Sequence, residues 1–344
     1  RTPVGTGTQP AGVGPGRSTR TRRERRWGVR NRCDGFRPGV RVWWWRDARP
    51  DPSEPDLGVL VDAAARTPNM RLANCAGRAA ILIDDGIADV ASVSGGRFGP
   101  EPMSVFAEWD AFRAFVPSVD GPTGPLDPAT LANPSPTPRQ VFGIGLNYRA
   151  HAAESGRPLP EMPATFTKFP TSLAGPFDEI DLVASSVDWE VELVVVIGRR
   201  AHHVGRADGW DHVAGLTIGQ DISDRQLQFA AGGQFSLGKS RPGYAPMGPW
   251  LVTPDEFDDP DDIALGCSVD GEIVQDARTS DLIFDVCDLI EQLSAVVPLL
   301  PGDVIFTGTP AGVGVARTPP RALRPGQVVE SWADGIGRMS NLCR

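Results

Sequence analysis

The sequence predicts a mixed, β-rich domain preceded by a small α+β domain. Three observations carry that expectation. Strand-length apolar runs (VFGIGLNY, EVELVVVIG, GLTIGQDI, DIALGCSVDG, DVIFTG) follow Gln140 and are separated by turn residues. Helical patterns are few, and strands do not alternate with helices as a doubly wound sheet requires. A Pro-, Gly- and polar-rich stretch, residues 117–139, sets off what precedes it.

In chain order, residues 1–69 read as a basic extension. Residues 1–50 hold 13 Arg against three acidic residues, so with a total of −9 the rest of the chain is strongly acidic. The first 55 residues show neither a period of 2 nor one of 3.6. A disordered or non-native stretch is the expected state, with a native start near Met70. A basic arm for nucleic acid is the lesser alternative. Residues 70–116 follow as the small domain, with short strands in AAILID and IADVAS and a helix in SVFAEWDAFRAFV. Residues 117–139 form the linker and 140–344 the β-rich domain. Within it, SDLIFDVCDLIEQLSAVVPLL has the period of an amphipathic helix. No apolar run reaches 18 residues, so no membrane span is expected. The five cysteines are scattered without a C-x-x-C pair, which argues against zinc or a disulfide framework and fits a reducing cytoplasm.

The run VDWEVELVVVIG, residues 187–198, places Glu190 and Glu192 on one face of a strand, followed by Val194 and Val196. Val191, Leu193, Val195 and Ile197 take the other face. Both faces turn apolar, so the strand is expected to be covered on both sides. Carboxylates roughly 7 Å apart repel by about 2 kcal/mol at an effective dielectric of about 20, and burial adds a desolvation cost. A proton, a basic side chain or a metal ion must compensate, unless this end of the strand reaches water. Asp221 closes GLTIGQD and offers a third carboxylate. Three carboxylates without His or Cys suit a hard divalent ion: Mg²⁺, Mn²⁺ or Ca²⁺.

His151 and Glu154 stand three apart, neighbours on a helix. A carboxylate beside an imidazole fixes its tautomer and builds a general base for water; the plain alternative is a surface ion pair. Only two lysines, Lys168 and Lys239, occur in this Arg-rich chain. Lys offers a compact charge where Arg offers a planar fork. Residues 233–240, GQFSLGKS, match the P-loop letters, but the context is wrong for a phosphate cradle: DRQLQFAAGG before and RPGYAPMGP after. The acidic run 255–262 lacks the spacing of an EF-hand loop. Thr309, in TGTPAGVG, has a hydroxyl that can donate to a carboxylate. His202, His203 and His212 carry no assigned role.

Six ordered blocks, GLNYRAHAAE, FTKFPTSLAGP, DWEVELVVVIG, GQDISDR, GKSRPGYAPMGP and LLPGDVIFTGTPAGVG, resemble the fumarylacetoacetate hydrolase family over about residues 140–315. The likeness is to bacterial members with a short N-terminal domain, of the acylpyruvase and 2-hydroxyhepta-2,4-diene-1,7-dioate isomerase kind. The resemblance implies a β-roll catalytic domain and a homodimer. It implies Mg²⁺ or Mn²⁺ held by Glu190, Glu192 and Asp221. His151, paired with Glu154 on a lid, would activate water. Lys239 and Lys168 would meet substrate oxygens, with Gln220 and Thr309 lining the pocket. The expected activity is hydrolysis of a carbon–carbon bond in a 2,4-dioxo acid, a step of aromatic compound catabolism. Isomerase, decarboxylase or hydratase chemistry on related oxo acids, oxaloacetate among them, is the alternative. The animal fumarylacetoacetate enzymes have a further aspartate ligand in a longer N-terminal domain. No match to it occurs here, which points away from fumarylacetoacetate itself.

Overall fold

The computed structural model describes residues 70–230 and 232–344. The expectations for residues 1–69 lie outside the described residues. The expected strand at 187–198 forms as two pieces, Val187–Asp188 and Val191–Ile197. The break falls at Trp189–Glu190 because Glu190 turns to side-chain and loop partners. Its amide donates to Gln220 Oε1 at 2.9 Å, and its carbonyl accepts from the Asp221 amide at 2.8 Å. From Val191 onward the ladder is regular and every residue is buried.

The face alternation holds. Val191, Leu193, Val195 and Ile197 enter one core, together with Tyr148, Trp189 and Ile290. Val194 and Val196 enter a second core with Phe106, Trp109, Phe112 and Phe306. Period-2 side-chain direction thus puts one strand between two apolar layers. Its neighbours are Val213–Gln220, antiparallel with Val191 opposite Gln220, and Val304–Phe306, antiparallel with Val194 opposite Phe306. Val304–Phe306 in turn pairs parallel with Val141–Gly145.

The large sheet has 12 strands. Its other half is the meander Arg71–Cys75, Arg78–Ile83 and Gly86–Asp89. Arg71–Cys75 pairs antiparallel with Ala245–Val252, Leu72 opposite Leu251. The segment expected as a separate small domain therefore shares a sheet with the segment expected to follow a linker. The strand expected through IADVAS stops at Asp89, whose side chain accepts from the Ser92 amide and caps the helix Val90–Val93. The helix expected at SVFAEWDAFRAFV forms as two, Pro102–Ala107 and Trp109–Phe115, which meet at Glu108. Phe106, Trp109 and Phe112 from this pair cover the Val194 face of the central strand.

A second, antiparallel sheet runs Glu272–Arg278, Ala264–Val269, Val328–Ala333, Gly337–Leu342. The predicted amphipathic helix covers Val286–Ser294, starting where the Asp285 side chain accepts from the Asp288 amide. Residues 232–240 are turns and loop that follow the helix Arg225–Ala230 and precede no helix, so the P-loop letters carry no cradle. Among the described residues no helix is long and apolar enough to cross a membrane, and Cys75, Cys267, Cys287 and Cys343 are free and buried.

Candidate active site

The antiparallel pairing of Val191 with Gln220 brings the ends of two strands together. Glu190, Glu192 and Asp221 converge there, each with a ligand atom within 4.8 Å of the others. Among the described residues this is the one cluster of His, Cys, Asp and Glu with metal-ligating spacing. Their exposures are 7%, 1% and 0%, so this strand end is buried.

Basic side chains supply much of the compensation. Lys239 Nζ donates to Glu190 Oε2 and to Asp221 Oδ2, each at 2.5 Å. Lys168 Nζ donates to Asp221 Oδ1 and to the carbonyls of Lys239 and Tyr244. Arg225 Nη1 pairs with Glu190 Oε1 at 2.6 Å. Burial alone pushes the Glu190 carboxyl up, but Arg225 and Lys239 bring it down to about 2. For Lys239, burial favours the neutral amine, and the carboxylates of Asp221 and Glu190 outweigh it, holding the ammonium above its ordinary range. For Lys168 burial wins over Asp221 and the value falls.

Glu192 differs. Its Oε2 accepts the Gly308 amide at 2.7 Å, and no cationic side chain among the described residues bonds it. Burial, then Asp221 and Glu190, push its carboxyl well above the usual range. Gly308 makes that approach with φ +107°, where an added Cβ would stand 2.6 Å from Asn147 Cβ. The donor set fits a hard divalent cation. All three groups are oxygen donors. Each carboxylate has about four lone-pair sites, so oxygens already bonded to lysine keep capacity. Glu192 is the carboxyl whose ionisation such an ion would favour.

Lys168 is expected to matter for stability. Replacing Lys168 with methionine keeps the stem's bulk and strips the fully buried Asp221 of one of two ammonium partners. The expected cost is about 3 kcal/mol, read as a lower denaturant midpoint at unchanged slope. A midpoint equal to that of the unmodified protein would refute it.

The second constellation lies on the helix Arg149–Glu154. Asn147 roots it: its Nδ2 donates to the Thr307 carbonyl at 2.7 Å and the Phe284 carbonyl at 2.9 Å. His151 Nδ1 and Glu154 Oε2 are 3.0 Å apart. Glu154 Oε1 accepts the Gly312 amide, also at 3.0 Å. The H-x-x-E spacing therefore forms a pair that is docked on a loop rather than a loose surface contact.

A cavity of about 440 Å³ reaches both constellations, touching Glu190 but neither Glu192 nor Asp221 of the carboxylate cluster. His151, Glu154, Glu190, Arg225, Lys239 and Thr309 line its polar side, and Phe166, Phe229 and Phe235 an aromatic side. Phe235 packs edge-on against Phe166 and Phe229, with centroids 5.8 and 6.3 Å away. Lys168 and Gln220 do not line this cavity. Lys168 is spent on Asp221 and two carbonyls; Gln220 Nε2 donates to Ser331 Oγ at 2.9 Å while its Oε1 holds the Glu190 amide. Thr309 lines the cavity, but its hydroxyl donates to the Val191 carbonyl at 2.9 Å, not to a carboxylate. His202, His203 and His212 are not among its lining residues.

Sequence reasoning passed over Arg225 and Asp188. Asp188 is 1% exposed and continues the every-second-residue series of Glu190 and Glu192, which is the signal that marks it. Arg225 lies four residues past Asp221, inside GQDISDR and at the start of the helix Arg225–Ala230, and nothing in its spacing sets it apart from the other arginines.

Residues 140–343 match the sequence model of the fumarylacetoacetate hydrolase C-terminal domain. A Mycobacterium smegmatis structure with a provisional HpcE designation is 49% identical at TM-score 0.77, covering 80% of this chain and 99% of that one. Maleylpyruvate hydrolase from Sphingobium sp. SYK-6, solved with manganese(II) and pyruvate, is 29% identical at TM-score 0.64, covering 80% and 98%. The 2-hydroxyhepta-2,4-diene-1,7-dioate isomerase of Mycobacterium marinum is 30% identical at TM-score 0.62, also over 80% and 98%. Six motif blocks, a buried carboxylate cluster of metal-ligating spacing and a match over residues 140–343 agree: the chain belongs to the fumarylacetoacetate hydrolase family.

Proposed function

We propose that this chain is a divalent-metal-dependent hydrolase that cleaves a carbon–carbon bond in 2,4-dioxo acids, releasing pyruvate or a substituted pyruvate and a carboxylic acid. One observation carries the reading: the His151–Glu154 pair and the Glu190–Lys239 edge of the carboxylate cluster line the same cavity. A base and a cation-rich pole facing one space are what hydrolysis through an enolate requires.

Glu190, Glu192 and Asp221 would hold Mg²⁺ or Mn²⁺. When bound, such an ion supplies Lewis-acid charge to the oxygens of an oxo acid. The manganese and pyruvate in the Sphingobium hydrolase support that assignment. With Nδ1–H of His151 donated to the Glu154 carboxylate 3.0 Å away, Nε2 would be the base. His151 takes a proton from water, and the resulting hydroxide adds to the C4 carbonyl. The C3–C4 bond then breaks, its electron pair passing into the enolate of the pyruvate fragment. Lys239, at the cavity wall, stabilises that negative charge. The proton on His151 returns to C3. Phe166, Phe229 and Phe235 give the substrate's carbon chain an apolar wall.

A second reading, isomerisation or decarboxylation of a 2-oxo or 2-hydroxy dienedioate, has the similarity to the Mycobacterium marinum isomerase in its favour. The two differ in whether water enters the reaction. Acetylpyruvate separates them. Its ultraviolet enol absorbance is expected to fall with enzyme and Mg²⁺ or Mn²⁺ and to stop falling when EDTA is added. A flat trace under every condition would overturn hydrolysis and direct the next assay to oxaloacetate.

A further inference from the structure

Asp188 touches neither the cavity nor the three carboxylates that would hold the metal, yet four N–H groups converge on it. Oδ1 accepts the amides of Trp189 and Gly314, both at 2.8 Å. Oδ2 accepts the Val315 amide at 2.9 Å and Arg225 Nε at 2.8 Å. Arg225 Nη2 lies 2.7 Å from the same oxygen. The carboxylate is 1% exposed, so no solvent competes for these bonds. Each bonded group leads back to the site. Arg225 pairs through Nη1 with Glu190. Gly314 and Val315 belong to the loop whose Gly312 amide holds Glu154. Trp189 steadies the same loop, its Nε1 donating to the Gly312 carbonyl at 3.2 Å. The approach is a backbone one: a Cβ on Gly314 would stand 2.6 Å from Asp188 Oδ1.

We infer that Asp188 is a positioning residue that sets the His151–Glu154 pair and the carboxylate cluster in register with each other. This rests on the reading of those two groups as base and metal site. The chemistry calls for a carboxylate. Two oxygens with about four lone-pair sites take four donors. A carboxamide has one oxygen and brings two N–H groups of its own. With asparagine at 188, an N–H must face either the loop amides or the Arg225 guanidinium. One of the two branches then shifts, and misplacement of a catalytic group by about 1 Å costs on the order of 10²-fold in rate.

The test is Asp188→Asn with three readouts: hydrogen exchange of residues 310–316 and 149–155, Mn²⁺ binding by calorimetry, and steady-state kinetics on acetylpyruvate. The expected result is faster exchange in both segments. Mn²⁺ affinity and kcat are each expected to fall about 10- to 100-fold, with KM little changed. Unchanged exchange at 310–316 would overturn the inference, as would affinity and kcat within about twofold of wild type, a bound set well below that expected loss. If the variant does not fold, the wild-type protein decides. Its Gly314 and Val315 amides must exchange more slowly than those of the exposed turn 232–234; equal rates would overturn the inference. Failure of the wild-type enzyme on acetylpyruvate would refute the proposed hydrolysis and leave the exchange and Mn²⁺ measurements to judge Asp188.

Discussion

Glu192→Gln is expected to abolish metal-dependent turnover while leaving the protein folded. Glutamine has the same volume as glutamate, and its Oε1 can still accept the Gly308 amide. Without metal, the wild-type site carries a buried carboxyl pressed by its own burial and by Asp221 and Glu190. A neutral amide relieves that pressure, so the metal-free variant should melt no lower than wild type. With metal the balance reverses, because bound carboxylates are anionic and the cation needs their charge. Even a unit-charge pair at about 4 Å and an effective dielectric of about 20 is worth about 4 kcal/mol, close to 10³-fold in affinity. Calorimetric titration with Mn²⁺ and the acetylpyruvate assay read the two halves of this prediction. Turnover at the wild-type rate would remove Glu192 from the site.

His151→Ala is expected to show the opposite separation: metal binding retained and hydrolysis lost. His151 lines the cavity and bonds Glu154, and it is not one of the three clustered ligands. Its removal should leave Mn²⁺ affinity within about threefold, small beside the 10- to 100-fold loss a broken supporting contact gives. The loss of a positioned base should cost about 10²- to 10⁴-fold in kcat. A rate equal to wild type would place the base elsewhere. Retained activity in His151→Ala with lost activity in Glu192→Gln would fit a metal-assisted reaction that needs no water, and the isomerase reading would gain.

Much of this site was legible because it lies on simple periodicities. Alternation along residues 187–198 put Glu190 and Glu192 on one face and gave the strand two apolar sides, and both hold. Asp221 was legible as an acidic residue closing a strand. His151 and Glu154 were legible from helical spacing. What escaped depends on partners far along the chain. The break at Trp189–Glu190 follows from Gln220, whose side chain takes the Glu190 amide from 30 residues away. Whether Lys168 faces substrate or backs Asp221 is decided by strand packing that no local pattern encodes. The resemblance placed Lys168 and Gln220 against substrate, and neither is among the residues lining the cavity. Arg225 was hidden by abundance: among so many arginines, one that neutralises a buried glutamate has no signature. The N-terminal segment looked separate because its composition changes at the linker, while sheet pairing between Arg71–Cys75 and Ala245–Val252 ignores composition.

The burial of both lysines has a consequence for chemical labelling. Lys168 is 1% exposed and Lys239 2%, and the chain contains no other lysine. No lysine amine is presented to an acylating reagent or to a lysine-specific protease while the fold is closed. Such reagents therefore report opening of the carboxylate cluster itself, with no surface background from lysine. Coupling this protein to a support or a dye through lysine would select molecules whose centre has already come apart.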